Sequence, residues 1–234
     1  MACLAFSKNN EGGEYYKKLN LTPDLLINLE KKYGGATGLF DIKDKNGKSH
    51  GNNCGGDRMI DKGGVGCEGH GYAQDYSNTL SKYMNYKNLI IAEVGILRGS
   101  GLAIWSELFP NAEIFGFDLV LKTFYDNLKN LRSKGAFKNN NYKVYTMDQM
   151  KDNKNYLKNI LNNKKVNVVI DDGCHSDECI LSTLDSFLPH LAADFTYIIE
   201  DNSNVHKKID DAARKNKFNI YYNNNQLTIL TPKT

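Results

Sequence analysis

Acidic side chains and a histidine follow two short apolar runs in the second half of the chain. Asp171, Asp172 and His175 come after the run VNVVI, and Glu200 and Asp201 come after the run FTYII. Carboxylate oxygens suit a hard divalent cation such as Mg²⁺, which keeps some of its water and accepts substrate oxygens. A metal lowers the pKa of a hydroxyl that it binds, and a nearby histidine can take the proton as a general base. These residue types therefore predict a metal-assisted reaction at a hydroxyl group.

A structural interpretation of the first group is also open, because a helix is predicted directly after His175. Carboxylates at a helix N-terminus are stabilised by the helix dipole. That interpretation explains one acid of the first pair, but it leaves Glu200 and Asp201 without a function. The carboxyl ends of parallel strands face one crevice of an open sheet, so both pairs are expected to lie beside a bound ligand.

Glycines mark the junction between the apolar run LIIAEV and a helical segment. The loop has the spacing E-x-G-x-x-x-G-x-G, formed by Glu93, Gly95, Gly99 and Gly101, with Arg98 inside it. Glycine lets the backbone approach a ligand closely, and a helix N-terminus offers unpaired N–H groups. Asp118 ends the next predicted strand, where a carboxylate can accept ribose hydroxyls. The spacing differs from the G-x-G-x-x-G of dinucleotide-binding sheets, and a plain tight turn is the alternative.

Short apolar runs alternate with segments of helical spacing from about residue 80 onward. Strands are predicted at 89–94, 113–117, 142–146, 166–170 and 195–199, and helices at 100–109, 120–133, 151–161, 176–188 and 204–215. This alternation is typical of an α/β fold with a parallel sheet and helices on both faces. The last two strands, 218–222 and 227–230, are joined by three asparagines and can pair only as an antiparallel hairpin. An earlier helix is predicted at 23–32.

The glycine loop, Asp118 and the terminal hairpin together resemble the class I S-adenosylmethionine (SAM) methyltransferases over about residues 60–234. The resemblance implies a Rossmann-like sheet, mostly parallel, with an antiparallel strand in its C-terminal hairpin. It implies that the glycine loop, including Glu93 and Arg98, passes under the methionine part of SAM and that Asp118 holds the ribose. It also places Asp148 or Gln149, after the third strand, near the adenine amino group, with a solvated loop acid as the alternative.

The motifs IDDGCH and IIED resemble the magnesium-dependent sugar O-methyltransferases of macrolide biosynthesis. By that resemblance Asp172, Glu200 and Asp201 bind Mg²⁺, and His175 is the general base. Asp171 either contacts the methionine end of SAM or supports the metal ligands.

Two departures qualify this resemblance. The family motif reads D-D-G-S-H, so this chain has Cys174 in place of a serine. Catechol O-methyltransferases use similar metal chemistry with an asparagine as third ligand, whereas the corresponding position here is Asp201, followed by Asn202. The macrolide-sugar type therefore fits better than the catechol type.

Residues 34–71 contain 12 of the 20 glycines and show little periodicity, so they are predicted to form loops. Within them, the sequences DKG at 61–63 and HGY at 70–72 resemble the stretch before the first strand in the sugar methyltransferases. The resemblance places this segment over the cofactor as a loop-rich lid, with Lys62, His70 and Tyr72 as SAM contacts; ordinary loop residues are the alternative. We therefore divide the chain into a helical and glycine-rich lid segment at 1–80 and a methyltransferase core at 81–234.

Composition excludes other classes of protein. The chain has 234 residues and a net charge of +3, and its lysines are scattered rather than gathered in the basic stripe of a nucleic-acid binder. No apolar run approaches the roughly 18–20 residues of a membrane span, and the N-terminus lacks the pattern of a signal peptide. We expect a cytoplasmic protein, in a host cytoplasm if the chain is viral, with neither a nucleic acid nor a membrane as partner.

The five cysteines are odd in number and widely spread, which predicts thiols in a reducing compartment rather than a disulfide framework. Cys54, Cys67 and His70 leave a further metal site open, although no fourth ligand is evident.

The leading hypothesis is a metal-dependent SAM O-methyltransferase whose acceptor is a small sugar or sugar nucleotide. One alternative is a methyltransferase for a small phenol or catechol, and another is a non-catalytic SAM-binding protein. A nicotinamide-dependent oxidoreductase is disfavoured by the glycine spacing and the terminal hairpin. The sequence leaves the acceptor and the assembly into a homo-oligomer open.

Overall fold

The computed structural model describes residues 20–34, 40–43, 49–53, 58–59, 70–209, 217–223 and 226–233. Its helices are α1 (Pro23–Tyr33), α2 (Ala73–Leu80), α3 (Ser100–Leu108), α4 (Lys122–Ser133), α5 (Lys154–Leu161), α6 (Asp177–Phe187) and α7 (Val205–Ile209), with 3₁₀ turns at Ser81–Asn85 and Leu188–His190. Its strands are β1 (Phe40–Lys43), β2 (Ser49–Asn53), β3 (Ile90–Val94), β4 (Glu113–Asp118), β5 (Tyr142–Thr146), β6 (Val166–Asp171), β7 (Leu191–Ile199), β8 (Phe218–Tyr222) and β9 (Thr228–Pro232). Among the described helices, none has the length and apolar character needed to cross a bilayer.

Seven strands form one sheet in the order β5-β4-β3-β6-β7-β9-β8. The strands from β3 to β7 pair in parallel, and β9 runs antiparallel to both of its neighbours, β7 and β8. This arrangement confirms the mostly parallel sheet with an antiparallel strand in a C-terminal hairpin. The strand order reverses direction between β3 and β6, and ligands of open α/β sheets bind outside the carboxyl ends of the strands at such a point.

The two faces of the sheet carry two apolar cores, because successive side chains of a strand point to opposite faces. Ile91 and Val168 belong to a core that also contains residues of α1, α2, α3 and α4. Ala92 and Val169 belong to a second core with residues of α5, α6 and α7. The division of the chain at residue 80 stays a prediction; α1 and α2 share the first core with the sheet.

The start of α6 is fixed by a side-chain cap. Ser176 Oγ accepts the N–H of Cys179 at 3.2 Å, and Asp177 and Glu178 occupy the first turn. Both features favour a helix beginning at this point. The helix therefore begins two residues after the candidate base, His175, and holds one end of the loop that carries it.

The prediction of loops alone at 34–71 is wrong in part, because β1 and β2 pair as an antiparallel hairpin. The sequence FDIK of β1 alternates apolar and polar residues, which is the period of a strand. The many glycines in the surrounding sequence made this short alternation difficult to recognise. Of the helix predicted at 204–215, Val205–Ile209 is helical and residues 210–216 lie outside the described part.

Gly116 lies in the middle of β4, where a side chain has little room. A Cβ there would lie 2.7 Å from Leu102 Cδ1 and 3.0 Å from Ile96 Cγ2. We expect Gly116→Ala to lower the free energy of unfolding by about 1–3 kcal/mol, the usual effect of overpacking a core. Chemical denaturation measures this change, with Lys129→Ala on the exposed face of α4 as the control. Equal stability of Gly116→Ala and the unmodified protein would contradict the packing described.

Candidate active site

The glycine loop joins β3 to α3 through backbone conformations that favour glycine. Gly95 and Gly99 have φ values of +86° and +79°. The N–H of Gly95 donates to the carbonyl of Phe117 at 2.8 Å, and a side chain at Gly95 would overlap the backbone of Asp172. The loop therefore passes closely between the ends of β4 and β6. Gly99 is the N-cap of α3, whose first-turn N–H groups have no partner within the helix.

Asp118 lies at the end of β4 beside this loop. Its Oδ2 accepts the N–H of Leu97 at 2.8 Å, and its Oδ1 accepts the N–H of Val120 at 3.1 Å. Burial raises the pKa of Asp118, and hydrogen bonds from the backbone N–H groups of Val120, Leu97, Leu119 and Ile96 oppose that rise. The carboxylate is thus fixed in orientation, with further lone pairs that can accept ribose hydroxyls.

Glu93 lies beneath the glycine loop. Its Oε1 is 3.0 Å from Arg58 Nη2, and the side chain of Trp105 is a further hydrogen-bonding neighbour of this buried carboxylate. Burial raises the pKa of Glu93 to about 7, against the opposing effect of Arg58. Gly101 has no space for a side chain because the Glu93 carboxylate and Arg58 occupy it.

Arg58 is a central residue of this site that sequence reasoning missed. It is 8% exposed, and its guanidinium is 2.6 Å from Asp172 Oδ2 and 2.9 Å from Glu200 Oε2. Burial alone would lower the pKa of Arg58, but the carboxylates of Glu200, Asp172 and Glu93 raise it well above its usual value. Arginine is favoured over lysine for buried pairs with carboxylates. The presence of an arginine in a lysine-rich chain was therefore the sequence feature that could have indicated this contact.

Asp172, His175 and Asp201 bring potential metal-ligand atoms within 4.8 Å of one another. His175 Nε2 is 4.0 Å from Asp172 Oδ1, and His175 Nδ1 is 3.4 Å from the backbone oxygen of Glu200. The φ values of His175 and Asp201 are +55° and +57°, a conformation that costs roughly 1–3 kcal/mol and is frequent at functional sites. The ends of β6 and β7 thus place two predicted metal ligands and the predicted base together.

Glu200 has other partners. It is 2% exposed, accepts a hydrogen bond from Arg58 Nε at 2.9 Å and accepts another from the hydroxyl of Tyr76. Burial raises the pKa of Glu200 well above its usual value, and Arg58 opposes the rise. Among the described residues it does not belong to the group with clustered ligand atoms, so its role as a metal ligand stays a prediction.

His70 and Tyr72 contact Asp201. The Tyr72 hydroxyl donates to Asp201 Oδ1 at 2.8 Å, and His70 Nδ1 is 3.3 Å from the same oxygen. The two rings also stack at 5.3 Å. Both residues therefore hold a candidate metal ligand, while their predicted contact with SAM stays a prediction. Lys62 lies outside the described residues.

Asp148 and Gln149, the two residues predicted to contact adenine, have different neighbours in the structure. Asp148 is half-buried, and its Oδ1 accepts the N–H of Met150 at 3.0 Å. The Gln149 side chain donates to Asp171 Oδ1 at 2.8 Å, so it is directed towards β6. Asp148 is consequently the better placed of the two for a contact with adenine.

Asp171 and Arg98 both have protein partners. The Tyr197 hydroxyl donates to Asp171 Oδ2 at 3.3 Å, and burial raises the pKa of Asp171 to about 7, opposed by the hydrogen bond from Gln149. Arg98 Nη2 donates to Asn127 Oδ1 on α4 at 3.3 Å.

The prediction of free thiols is wrong for two cysteines. Cys174 and Cys179 form a disulfide with a Cα–Cα distance of 6.2 Å. They flank the start of α6, and the first turn of the helix brings them together. Cys54 and Cys67, considered with His70 as a metal site, lie outside the described residues.

Part of the chain is similar in sequence to a known methyltransferase. No protein-family profile matches the chain. The mycinamicin VI 2''-O-methyltransferase of Micromonospora griseorubida is 23% identical over 140 residues, which cover 56% of this chain and 31% of that protein. The chain thus spans less than a third of the length of this relative.

Solved structures of methyltransferases share the fold. MycE, a methyltransferase from mycinamycin biosynthesis solved with Mg, SAH and mycinamycin VI, has a TM-score of 0.56 at 18% identity, covering 75% of this chain and 52% of MycE. A Staphylococcus aureus structure assigned as a caffeoyl-CoA O-methyltransferase has a TM-score of 0.51 at 12% identity, covering 68% of this chain and 82% of that one. The chain has the fold of these class I methyltransferases.

Proposed function

We propose that this chain transfers the methyl group of SAM to a hydroxyl of a sugar, whether free, nucleotide-linked or part of a glycan, with the help of a divalent cation. The main support is that the side chains of Asp172, His175 and Asp201 lie close together at the carboxyl edge of the sheet. At the same edge, the glycine loop approaches the backbone of Asp172 at Gly95. The mycinamicin VI 2''-O-methyltransferase and MycE support a hydroxyl acceptor, because the name of the first specifies transfer to oxygen.

The residues around the glycine loop fit SAM. The loop follows a tight path at Gly95 and Gly99, where an added side chain would overlap the backbone of Asp172 or the ring of Phe124. Asp118 offers a fixed carboxylate for the ribose, and the buried carboxylate of Glu93 lies beneath the same loop. When bound, SAM supplies an already activated methyl group, so the protein mainly has to hold donor and acceptor in line.

The donor set also fits a hard divalent cation. Five carboxylates lie at the ends of β3, β6 and β7, those of Glu93, Asp171, Asp172, Glu200 and Asp201, and the guanidinium of Arg58 contacts three of them. Asp172 and Asp201 would hold the ion, and Glu200 is the third ligand that the sequence resemblance implies. When bound, the ion lowers the pKa of a substrate hydroxyl.

We assign to His175 the role of the base that takes the proton from that hydroxyl. Its Nδ1 faces the carbonyl of Glu200 at 3.4 Å, so a proton on Nδ1 is directed towards an acceptor. We assign this tautomer because the Nδ1 proton then has an acceptor, and it leaves Nε2 without a proton. Nε2 is 4.0 Å from Asp172 Oδ1, and that carboxylate can stabilise the imidazolium once the proton has moved.

Cofactor binding gives a first prediction for this function. Asp118→Ala should weaken the binding of S-adenosylhomocysteine by about 1.5–3 kcal/mol, roughly 10–150-fold, because it removes charge-assisted hydrogen bonds to the ribose. Isothermal titration calorimetry measures the change, with Asp126→Ala on the exposed surface of α4 as the matched control. Binding of NAD in place of SAM by the unmodified protein would contradict the assignment of the cofactor.

The class of acceptor can be determined by testing several kinds of hydroxyl compound as substrates in parallel. Nucleotide-linked deoxysugars, phenols and catechols are each incubated with SAM and Mg²⁺, and mass spectrometry detects the gain of one methyl group. We expect methylation among the sugars. Methylation of catechols alone would establish the phenol or catechol alternative, and SAM binding without transfer to any class would favour a non-catalytic SAM-binding protein.

A further inference from the structure

Gln149 bridges the loop after β5 and the loop between β6 and α6. Its Nε2 donates to Asp171 Oδ1 at 2.8 Å and to Thr183 Oγ1 at 3.0 Å. Its Oε1 accepts the N–H of Cys174 at 2.9 Å. Both amide hydrogens and the amide oxygen are therefore used inside the protein, by groups on the strand, the loop and the helix around the candidate base.

Gly173 fits against the same amide. A Cβ on Gly173 would overlap Oε1 of Gln149. Gly173 does not have a positive φ, unlike Gly95 and Gly99, so its backbone conformation does not itself require glycine. A side chain at this position would have to displace the Gln149 amide.

His175 follows this contact by two residues. We define residues 172–176 as the base loop. Gln149 holds it through the N–H of Cys174, and Asn202 Nδ2 holds it on the other side by donating to the carbonyl of His175 at 2.9 Å. With its left-handed φ, His175 needs neighbours that keep the backbone in place.

We propose that Gln149 is a positioning residue for the base: it fixes the base loop and so the place of the His175 ring. This inference rests on the proposed function for its catalytic meaning. Gln149 also directly follows Asp148, and the N–H of Met147 donates to the carbonyl of Asp118 at 2.9 Å. The loop after β5 therefore connects the candidate ribose and adenine contacts to the base loop.

Nuclear magnetic resonance of the histidine rings tests the contact without any ligand. The signals of His175 are assigned by their loss in His175→Gln. Gln149→Ala and Gly173→Ala should each shift them, and the double variant should shift them no further, because both changes break one contact. Lys151→Ala, an exposed change in the same loop, should leave them in place. Unchanged His175 signals in Gln149→Ala, or additive shifts in the double variant, would overturn the proposal whatever the chain's function is.

Kinetics then separate positioning from cofactor binding. Gln149→Ala should lower kcat about 10–100-fold, the effect of a small misplacement of a catalytic group, with an unchanged KM for SAM. Gln149→Met, which keeps the volume but lacks the hydrogen bonds, should behave in the same way, and it replaces the alanine variant if that fails to fold. A raised KM for SAM at constant kcat would instead make Gln149 an adenine contact and overturn the proposal.

Discussion

Replacing His175 with alanine is expected to lower turnover by about 10²–10⁴-fold, the usual loss when a general base is removed. The affinity for SAM should stay the same, because the neighbours of the His175 ring are the Asp172 carboxylate and the backbone carbonyl of Glu200 rather than groups of the glycine loop. Single-turnover kinetics at saturating SAM and Mg²⁺, followed by the methylated product, measure the chemical step separately from binding.

Glu178→Ala is the matched control for the base. Glu178 is an exposed residue in the first turn of α6, close to His175 in sequence but outside the acid cluster. Turnover of Glu178→Ala should equal that of the unmodified protein. Equal turnover of His175→Ala and the unmodified protein would remove the histidine from the mechanism, and another group would have to take the proton.

Replacing Asp172 or Asp201 with asparagine is expected to abolish metal-dependent turnover. Ligand atoms of the two carboxylates and of the His175 ring all lie within 4.8 Å of one another. An asparagine keeps the size of the side chain but removes the charge that attracts a hard cation. Calorimetry with Mn²⁺ should show loss of the metal site while the affinity for S-adenosylhomocysteine is nearly unchanged.

Asp152→Asn provides the control for these charge changes. Asp152 is well exposed in the loop before α5, and its neutralisation should affect neither metal binding nor turnover. If Asp172→Asn and Asp201→Asn bound Mn²⁺ as tightly as the unmodified protein, the cation would have to bind elsewhere in the chain.

The sheet and the place of the acids could be predicted because both depend on local patterns. Runs such as VNVVI and FTYII specify buried strands, and residues that follow them must lie at the carboxyl edge of a parallel sheet. Asp172, His175 and Asp201 meet there for that reason. The terminal hairpin follows equally from three asparagines between two apolar runs.

The partners of each side chain could not be predicted, because they come from distant parts of the chain. Arg58 reaches Asp172 across 114 residues and Glu200 across 142 residues, and no local period marks such a contact. For the same reason, sequence reasoning grouped Gln149 with the adenine contacts, whereas its amide is bonded to Asp171 and Cys174. The disulfide of Cys174 and Cys179 depends on where α6 begins, which is set by the cap at Ser176.

The most direct test of a metal-dependent sugar O-methyltransferase is one paired assay. An accepted deoxysugar is incubated with the protein at saturating SAM, with and without a chelator, and the methylated product is quantified by mass spectrometry. We expect transfer in the untreated sample, loss of transfer in the chelated sample, and recovery when Mg²⁺ is added in excess over the chelator. Full transfer in the chelated sample would contradict a metal-dependent mechanism and leave His175 as a base that acts without a metal.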